Sequence, residues 1–274
     1  MLAFGLSVLN VCAQNVLFFG SKQGLSNSRV RSLYEDKRHN IWLSTQNGLN
    51  RYDGVKWNVY RHVIGDPTSL MHDEATCVTD YEQGKLLVGT GSGVQLFDYA
   101  TDRFTVVPMV TSRGDTLTTR VVNFCRIHPN RMMVCFAGYG HGEVVRDKEG
   151  KLYVKQSADL LTGEQQWNPV QLLEDKQNRL WVVNSGGGVL RKTGDGKFHA
   201  YEELKGVRKL AFSSSGQMYA ATVRSGIYVY DSQTDHFRQV ATAEEMGGVV
   251  SGFNSWWNGR MFIGTDGGWL AHLR

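Results

Sequence analysis

The stretch HNIWLSTQNGLNRYDG (His39 to Gly54) reads as strand, tight turn, strand and second turn, and its local chemistry recurs along the whole chain. With Trp42 as reference, the same place is taken by Leu87, Met133, Trp181, Tyr219 and Phe262, at intervals of 45, 46, 48, 38 and 43 residues. The residue before each is Ile41, Leu86, Met132, Leu180, Met218 and Met261; the residue after is Leu43, Val88, Val134, Val182, Ala220 and Ile263. Nine positions earlier stand Leu33, Val78, Phe124, Leu172, Leu210 and Phe253, and twelve earlier Val30, Ala75, Val121, Pro169, Val207 and Val250. Three positions before the reference are His39, Gly84, Asn130, Asn178, Gly216 and Gly259. These residue types most readily accept positive φ, as a hairpin turn requires.

A second turn follows each reference residue: TQNG (45–48), TGSG (90–93), GYGHG (138–142), NSGGG (184–188), VRSG (223–226) and TDGG (265–268). Third strands follow as LNRYD, VQLFD, VLRK, IYVYD and WLAHL, with the third unit irregular. Outer fourth strands are predicted at Trp57–Tyr60, Phe104–Val107, Leu152–Val154, Phe198–Tyr201 and Phe237–Val240. Four short strands repeating every ~40–50 residues are the pattern of an all-β propeller. Six repeat units are visible over residues 14–274. The last lacks an outer strand, while Asn15 to Phe19 is a strand with no inner strands before it. That N-terminal strand could complete the last blade and remove exposed edges. Either six blades close, or the chain is a seven-bladed propeller cut short.

Thirty-one Gly against four Pro, and seven Trp, eleven Tyr and twelve Phe, fit a strand-rich fold with many tight turns. A net charge of +4, with no Lys/Arg run, argues against direct nucleic-acid binding. The apolar stretch Leu2 to Gln14, with Val11-Cys12-Ala13 as a small-residue cleavage site, reads as a signal peptide over residues 1–13, incomplete because no basic n-region precedes it. No other apolar run approaches the ~18 residues of a membrane span. Cys77, Cys125 and Cys135 would remain after cleavage. Cys125 and Cys135 could face each other across a hairpin, but free Cys is commonly a small buried hydrophobe, and that plain reading is preferred.

The segment Gln23 to Gly54 resembles the two-component-regulator propeller repeat, found in the periplasmic sensor region of hybrid two-component system proteins of gut Bacteroidetes. EDKQNRLWVVNSGGGVLR (Glu174 to Arg191) and LLVGTGSGVQLFD (Leu86 to Asp98) are similar to it as well, and the remaining units match more loosely but in register. The resemblance implies an extracytoplasmic propeller, periplasmic or secreted, that recognises oligosaccharides from polysaccharide breakdown. It also implies a neighbouring second propeller and, further on, a kinase and a DNA-binding domain, none of which lies within these residues.

Other chemistry is weakly represented. GTGSGV (Gly89 to Val94) lacks the following helix that a phosphate loop needs, and GYGHGE (Gly138 to Glu143) fails in the same way. The eight His show no zinc spacing, no Gly-x-Ser-x-Gly elbow occurs, and no cofactor is implied. Glu35-Asp36 and Glu174-Asp175 recur in one blade position and read as turn formers. Binding is expected on the face that gathers the second-to-third-strand turns and the blade-to-blade connections. The candidates there are Tyr139, His141, Trp167, Asn168, Asn184, Arg208, Arg224 and Asp266, with the two arginines suited to the carboxylate or sulfate of acidic sugars. Trp256 and Trp257, expected in a first-to-second-strand turn on the opposite face, are candidates for protein contact. No catalytic constellation is visible. The alternatives are a propeller enzyme resembling streptogramin or polysaccharide lyases, with His72, Tyr139 and His141 converging, and a scaffold that binds only protein.

Overall fold

A computed structural model of the protein describes residues 21–128, 130–157, 168–213, 215–246, 248, 250–257, 260–265 and 270–273, the backbone alone over 250–273. Among the described residues, twenty-four strands form six sheets in chain order, antiparallel apart from one added strand. The first is β1 (Val30–Glu35), β2 (Ile41–Thr45), β3 (Gly48–Tyr52) and β4 (Trp57–Tyr60). The second is β5 (Ala75–Asp80), β6 (Lys85–Thr90), β7 (Val94–Asp98) and β8 (Arg103–Val107). Then come β9 (Met109–Val110), β10 (Val121–Ile127), β11 (Arg131–Phe136), β12 (His141–Arg146) and β13 (Leu152–Ser157). The fourth sheet is β14 (Pro169–Glu174), β15 (Leu180–Asn184), β16 (Val189–Lys192) and β17 (Phe198–Ala200). The fifth is β18 (Val207–Phe212), β19 (Met218–Thr222), β20 (Ile227–Asp231) and β21 (His236–Ala241), and the last is β22 (Val250–Trp257), β23 (Arg260–Thr265) and β24 (Leu270–Leu273).

The chain is a β-propeller of four-stranded antiparallel blades. Among the described residues five sheets have all four blade strands and the sixth has three, so five blades are complete there rather than six. The third unit, read as irregular, is a regular blade to which β9 adds a parallel strand beside β13. The strand Asn15 to Phe19 and the leader at 1–13 lie outside the described residues.

Two backbone devices repeat from blade to blade. The first-to-second-strand turn takes positive φ at His39 (61°), Gly84 (71°), Asn178 (58°) and Gly216 (88°), as the recurring residue types demand. A second device was not foreseen. Each inner strand carries a register shift around its second residue, between Val30/Ser32, Ala75/Cys77, Val121/Asn123, Pro169/Gln171, Val207/Lys209 and Val250/Gly252. A bulge of this kind adds one residue to a strand and re-aims its side chain.

The core lies between blades, because both faces of each inner sheet are apolar. Trp42 and Leu49 of the first blade pack with Val78, Leu86, Val88 and Phe97 of the second, and each later seam repeats the arrangement. Gln171 ties one seam through the main chain: its amide donates to the Leu210 carbonyl at 2.9 Å and its carbonyl accepts the Leu210 N–H at 2.9 Å. Among the described residues, Cys77, Cys125 and Cys135 are free and buried. Cys125 pairs with Met133 and Cys135 with Asn123, so the two are diagonal neighbours on one hairpin, and Cys125 Sγ accepts the Leu172 N–H of the next blade at 3.2 Å. Burial pushes the Cys77 thiol up to about 12.

One column departs from the repeat. Val78, Phe124, Leu172 and Leu210 are 6%, 9%, 2% and 1% exposed, whereas Leu33, their equivalent in the first blade, is 48% exposed. Among the described residues, no cluster covers it as the preceding blade covers the others. Leu210→Ala is therefore expected to cost about 3 kcal/mol by cavity formation, and Leu33→Ala under about 1 kcal/mol. Urea unfolding of the two variants checks this, and equal losses would mean that Leu33 is covered after all.

Candidate functional site

At one end of the propeller the second-to-third-strand turns meet the segments that lead into the inner strands. A backbone hydrogen bond fixes that meeting in five successive blades. Gln46 N–H donates to the Arg29 carbonyl (3.4 Å), Gly91 to Glu74 (2.9 Å), Ala137 to Arg120 (3.0 Å), Ser185 to Asn168 (2.9 Å) and Val223 to Gly206 (2.8 Å). Arg29, Glu74, Arg120, Asn168 and Gly206 are thus one structural position seen five times. Two residues later come the bulge positions Arg31, Thr76, Val122, Val170 and Arg208. The approach is tight at Gly187 (φ 78°), where an added Cβ would lie 2.5 Å from Gly206 Cα.

These positions make a cationic mouth. Arginine occupies four of them (Arg29, Arg31, Arg120 and Arg208), and Glu74 is the single carboxylate there. Glu74 Oε1 is shared by Arg31 at 3.1 Å and Arg120 at 3.3 Å, so one anion ties three neighbouring blades. Arg29 donates to Gln46 at 3.1 Å. Arg208 at its bulge and Arg224 in the neighbouring turn are exposed, and among the described residues neither guanidinium has a hydrogen-bond or ion-pair partner.

The structure brings only part of the expected set to this mouth. Arg208 and Arg224 are open to solvent there, and Tyr139, 53% exposed, caps the turn of the third blade, its carbonyl accepting from Gln156 at 2.9 Å. Asn168 and Asn184 meet each other, the Asn184 side chain accepting the Asn168 N–H at 2.9 Å, so the Asn184 oxygen is engaged in holding the connection. His141 must be corrected: it opens β12 opposite Cys135 and is 2% exposed, because the strand begins two residues earlier than the turn pattern implies. His72 is exposed, with Nδ1 accepting the Glu74 N–H at 2.9 Å, so His72, Tyr139 and His141 do not share one environment. Trp167 and Asp266 lie outside the described residues. Trp256 and Trp257 end β22 rather than forming a turn, since an irregularity between Asn254 and Trp257 lets Trp257 pair with Arg260. Arg29, Arg31, Glu74 and Arg120 were missed, although their fixed offsets of thirteen and eleven residues from the reference column would have found them.

At the opposite end, two blade seams share one polar scaffold. Asp36 and Asp175 each fold their own turn, accepting backbone N–H groups from Arg38 and Asn40 or from Gln177 and Arg179. Each also accepts the indole N–H of a fully buried tryptophan, Trp42 at 2.6 Å and Trp181 at 2.8 Å. On those indoles stack Tyr60 and Tyr201, centroids 5.8 and 5.2 Å away. Both tyrosines donate at 2.8 Å to an aspartate of the next blade, Asp102 or Asp235, which also pairs with Arg51 (3.0 Å) or Arg191 (2.7 Å). Burial, then the bond to the aspartate, raises both phenol pKa values and keeps them neutral donors.

For Asp235, burial alone would raise the carboxyl pKa, but donors from Tyr230, Tyr201 and Arg191 outweigh it and hold it at about 2. A carboxylate depressed on folding adds stability above its unfolded pKa of about 4, and that increment disappears as pH falls through about 2. The stability gap between wild type and Asp235→Asn should therefore be constant above pH ~4 and shrink between ~4 and ~2. Urea midpoints across that range measure it, and a gap unchanged at pH ~2 would count against the ionised scaffold.

With this geometry in place, comparison with known proteins identifies part of the chain. Residues 24–47 match the family model for the two component regulator propeller. This segment is a two-component-regulator propeller repeat. It contains Asp36, Asn40 and Trp42, so the repeat is the piece of chain that builds the first half of a seam. Histidine kinase P4 of Formosa agariphila is 34% identical over 74 residues, covering 26% of this chain and 5% of that protein. Two solved extracellular domains, named as belonging to hybrid two component systems of B. thetaiotaomicron, share the fold of the propeller. One superposes with TM-score 0.75 at 22% identity over 94% of this chain, the other with 0.71 at 16% over 89%. The chain spans 35% of the length of each. Among the described residues no helix is long and apolar enough to cross a membrane.

Proposed function

We propose that this propeller is a ligand-binding part of the extracytoplasmic sensor region of a hybrid two-component regulator, and that its arginine-lined mouth takes acidic oligosaccharides from polysaccharide breakdown. The observation that carries the reading is the excess of guanidinium at two adjacent sets of equivalent positions, with Arg208 and Arg224 exposed and, among the described residues, unpaired. Guanidinium forks bind carboxylate and sulfate groups bidentately, and neighbouring cations at a concave mouth add to one another's field. Sugar rings would add contact with the exposed Tyr139. The likeness to extracellular domains of such systems supports the setting, and a neighbouring propeller in the same protein would be the partner that reads occupancy.

Isothermal titration with matched oligosaccharides, neutral against uronic or sulfated, tests the ligand class. Acidic oligosaccharides should bind more tightly than neutral ones and weaken as salt is raised. The double variant Arg208→Ala/Arg224→Ala should weaken acidic binding by about tenfold or more, equivalent to about 1.4 kcal/mol. Equal affinity for neutral and acidic sugars would sink the reading. Unsaturated products in the same mixtures would replace it with a lyase.

A further inference from the structure

The two copies of the seam scaffold are not equally satisfied. In the fourth-to-fifth-blade copy, Arg179 Nε pairs with Asp175 at 2.6 Å, its guanidinium lying 5.8 Å from the ring centroids of Trp181 and Tyr230. There Arg191 forks both terminal nitrogens onto Asp235, at 2.8 and 2.7 Å. The first-to-second-blade copy has Asn40 where the other has Arg179. This shorter amide donates to Asp36 at 3.1 Å and to the Tyr99 hydroxyl at 3.2 Å, and a cavity of about 460 Å³ opens, lined by Arg38, Asn40, Arg51, Asp53, Tyr99 and Asp102.

The unused hydrogen-bonding capacity of that cavity is mainly donor. Arg51 makes a single bond to Asp102, and its buried Nε–H has no partner. Arg38, exposed, lies flat on Tyr99 with its guanidinium carbon 4.2 Å from the ring centroid, and among the described residues that guanidinium meets no acceptor. The acids nearby are already engaged. Asp36 accepts from Trp42, Tyr99 and Asn40; Asp53 accepts the Val55 and Lys56 N–H groups at 2.9 and 2.8 Å; Asp102 accepts from Arg51 and Tyr60. An unmatched guanidinium fork with a second guanidinium beside it suits an acceptor with two oxygens.

We propose that the seam between the first two blades is a second binding site, distinct from the channel mouth, for a small organic carboxylate held between Arg38 and Arg51. The carboxylate takes the Arg38 fork, and the Arg51 guanidinium behind it adds its positive charge. Its remaining polar atoms reach the Asn40 carbonyl oxygen, and its carbon skeleton lies at the edge of Tyr99. A volume of this size suits a ligand no larger than a sugar acid or an acylated amino acid.

The test uses the protein as it stands, with glucuronate and N-acetylglycine as probes and glucose as the neutral control, followed by titration calorimetry. Two substitutions convert this seam toward its saturated twin: Arg38→Gln, which places the residue found at Gln177, and Asn40→Arg, which places the one found at Arg179. Because the other seam already carries both residues, the scaffold has room for them, and near-ultraviolet circular dichroism confirms the fold. Wild type should bind a carboxylate saturably and glucose not at all. Either substitution should weaken binding at least tenfold, with Asn40→Arg also raising the melting temperature. The tighter of the two probes identifies the source of the carboxylate as sugar or peptide. Undiminished binding in folded Asn40→Arg, or no binding of either probe to wild type at about 10 mM, would overturn the site.

Discussion

A propeller blade is a sheet with two apolar faces, and it cannot stand without a neighbour on each. That constraint explains why the larger hydrophobic clusters join residues of successive blades, and why the reference column is buried wherever a following blade covers it. It also explains the departure at Leu33. The residue type is the same as in the other blades, but burial is a property of what lies across the seam. The inner strands add a second demand, since each is a sheet edge with main-chain groups to satisfy, and Gln171 meets part of it by presenting an amide to the backbone of Leu210.

The same residue types serve opposite purposes at the two ends of the molecule. In the fourth-to-fifth-blade seam, arginine, tyrosine and aspartate saturate one another, and the tryptophan stacks beneath them; that seam is architecture. At the mouth, arginines stand at two adjacent sets of equivalent positions, Arg31 and Arg120 sharing Glu74 as counter-ion, and Arg208 and Arg224 have no partner among the described residues, which leaves charge available to a ligand. The first-to-second-blade seam is intermediate. Its scaffold is the structural one, yet an asparagine in place of an arginine leaves room and unused donors. Side-chain identity alone does not separate these cases; the completeness of hydrogen bonding does.

Much of the fold was legible because its cause is local. Alternating apolar positions, a residue tolerant of positive φ at His39, Gly84, Asn178 and Gly216, and glycine-bearing second turns are all dictated within a dozen residues. The paired Glu35-Asp36 and Glu174-Asp175 were read as turn formers, and Asp36 and Asp175 do fold their turns, with the added duty of holding an indole that no turn pattern reveals. The bulges were not legible. A one-residue register shift leaves no mark in composition, yet it aims Arg31 and Arg208 at the mouth. His141 shows the converse error, a polar residue in a glycine-rich stretch that the ladder draws into the sheet.

By itself, then, the sequence determined the repeat, the all-β class, the order of strands in each blade and the chemistry of the hairpin turns, because each depends on contacts between residues close in the chain. Only the tertiary structure decided which arginines are spent in ion pairs and which are open, that Asp102 and Asp235 belong to the seam of the preceding blade, and that two look-alike seams differ in how completely their donors are matched. Those outcomes rest on contacts across blades, between residues about forty to sixty positions apart, where the spacing of the chain carries no signal and geometry alone brings a donor to its acceptor.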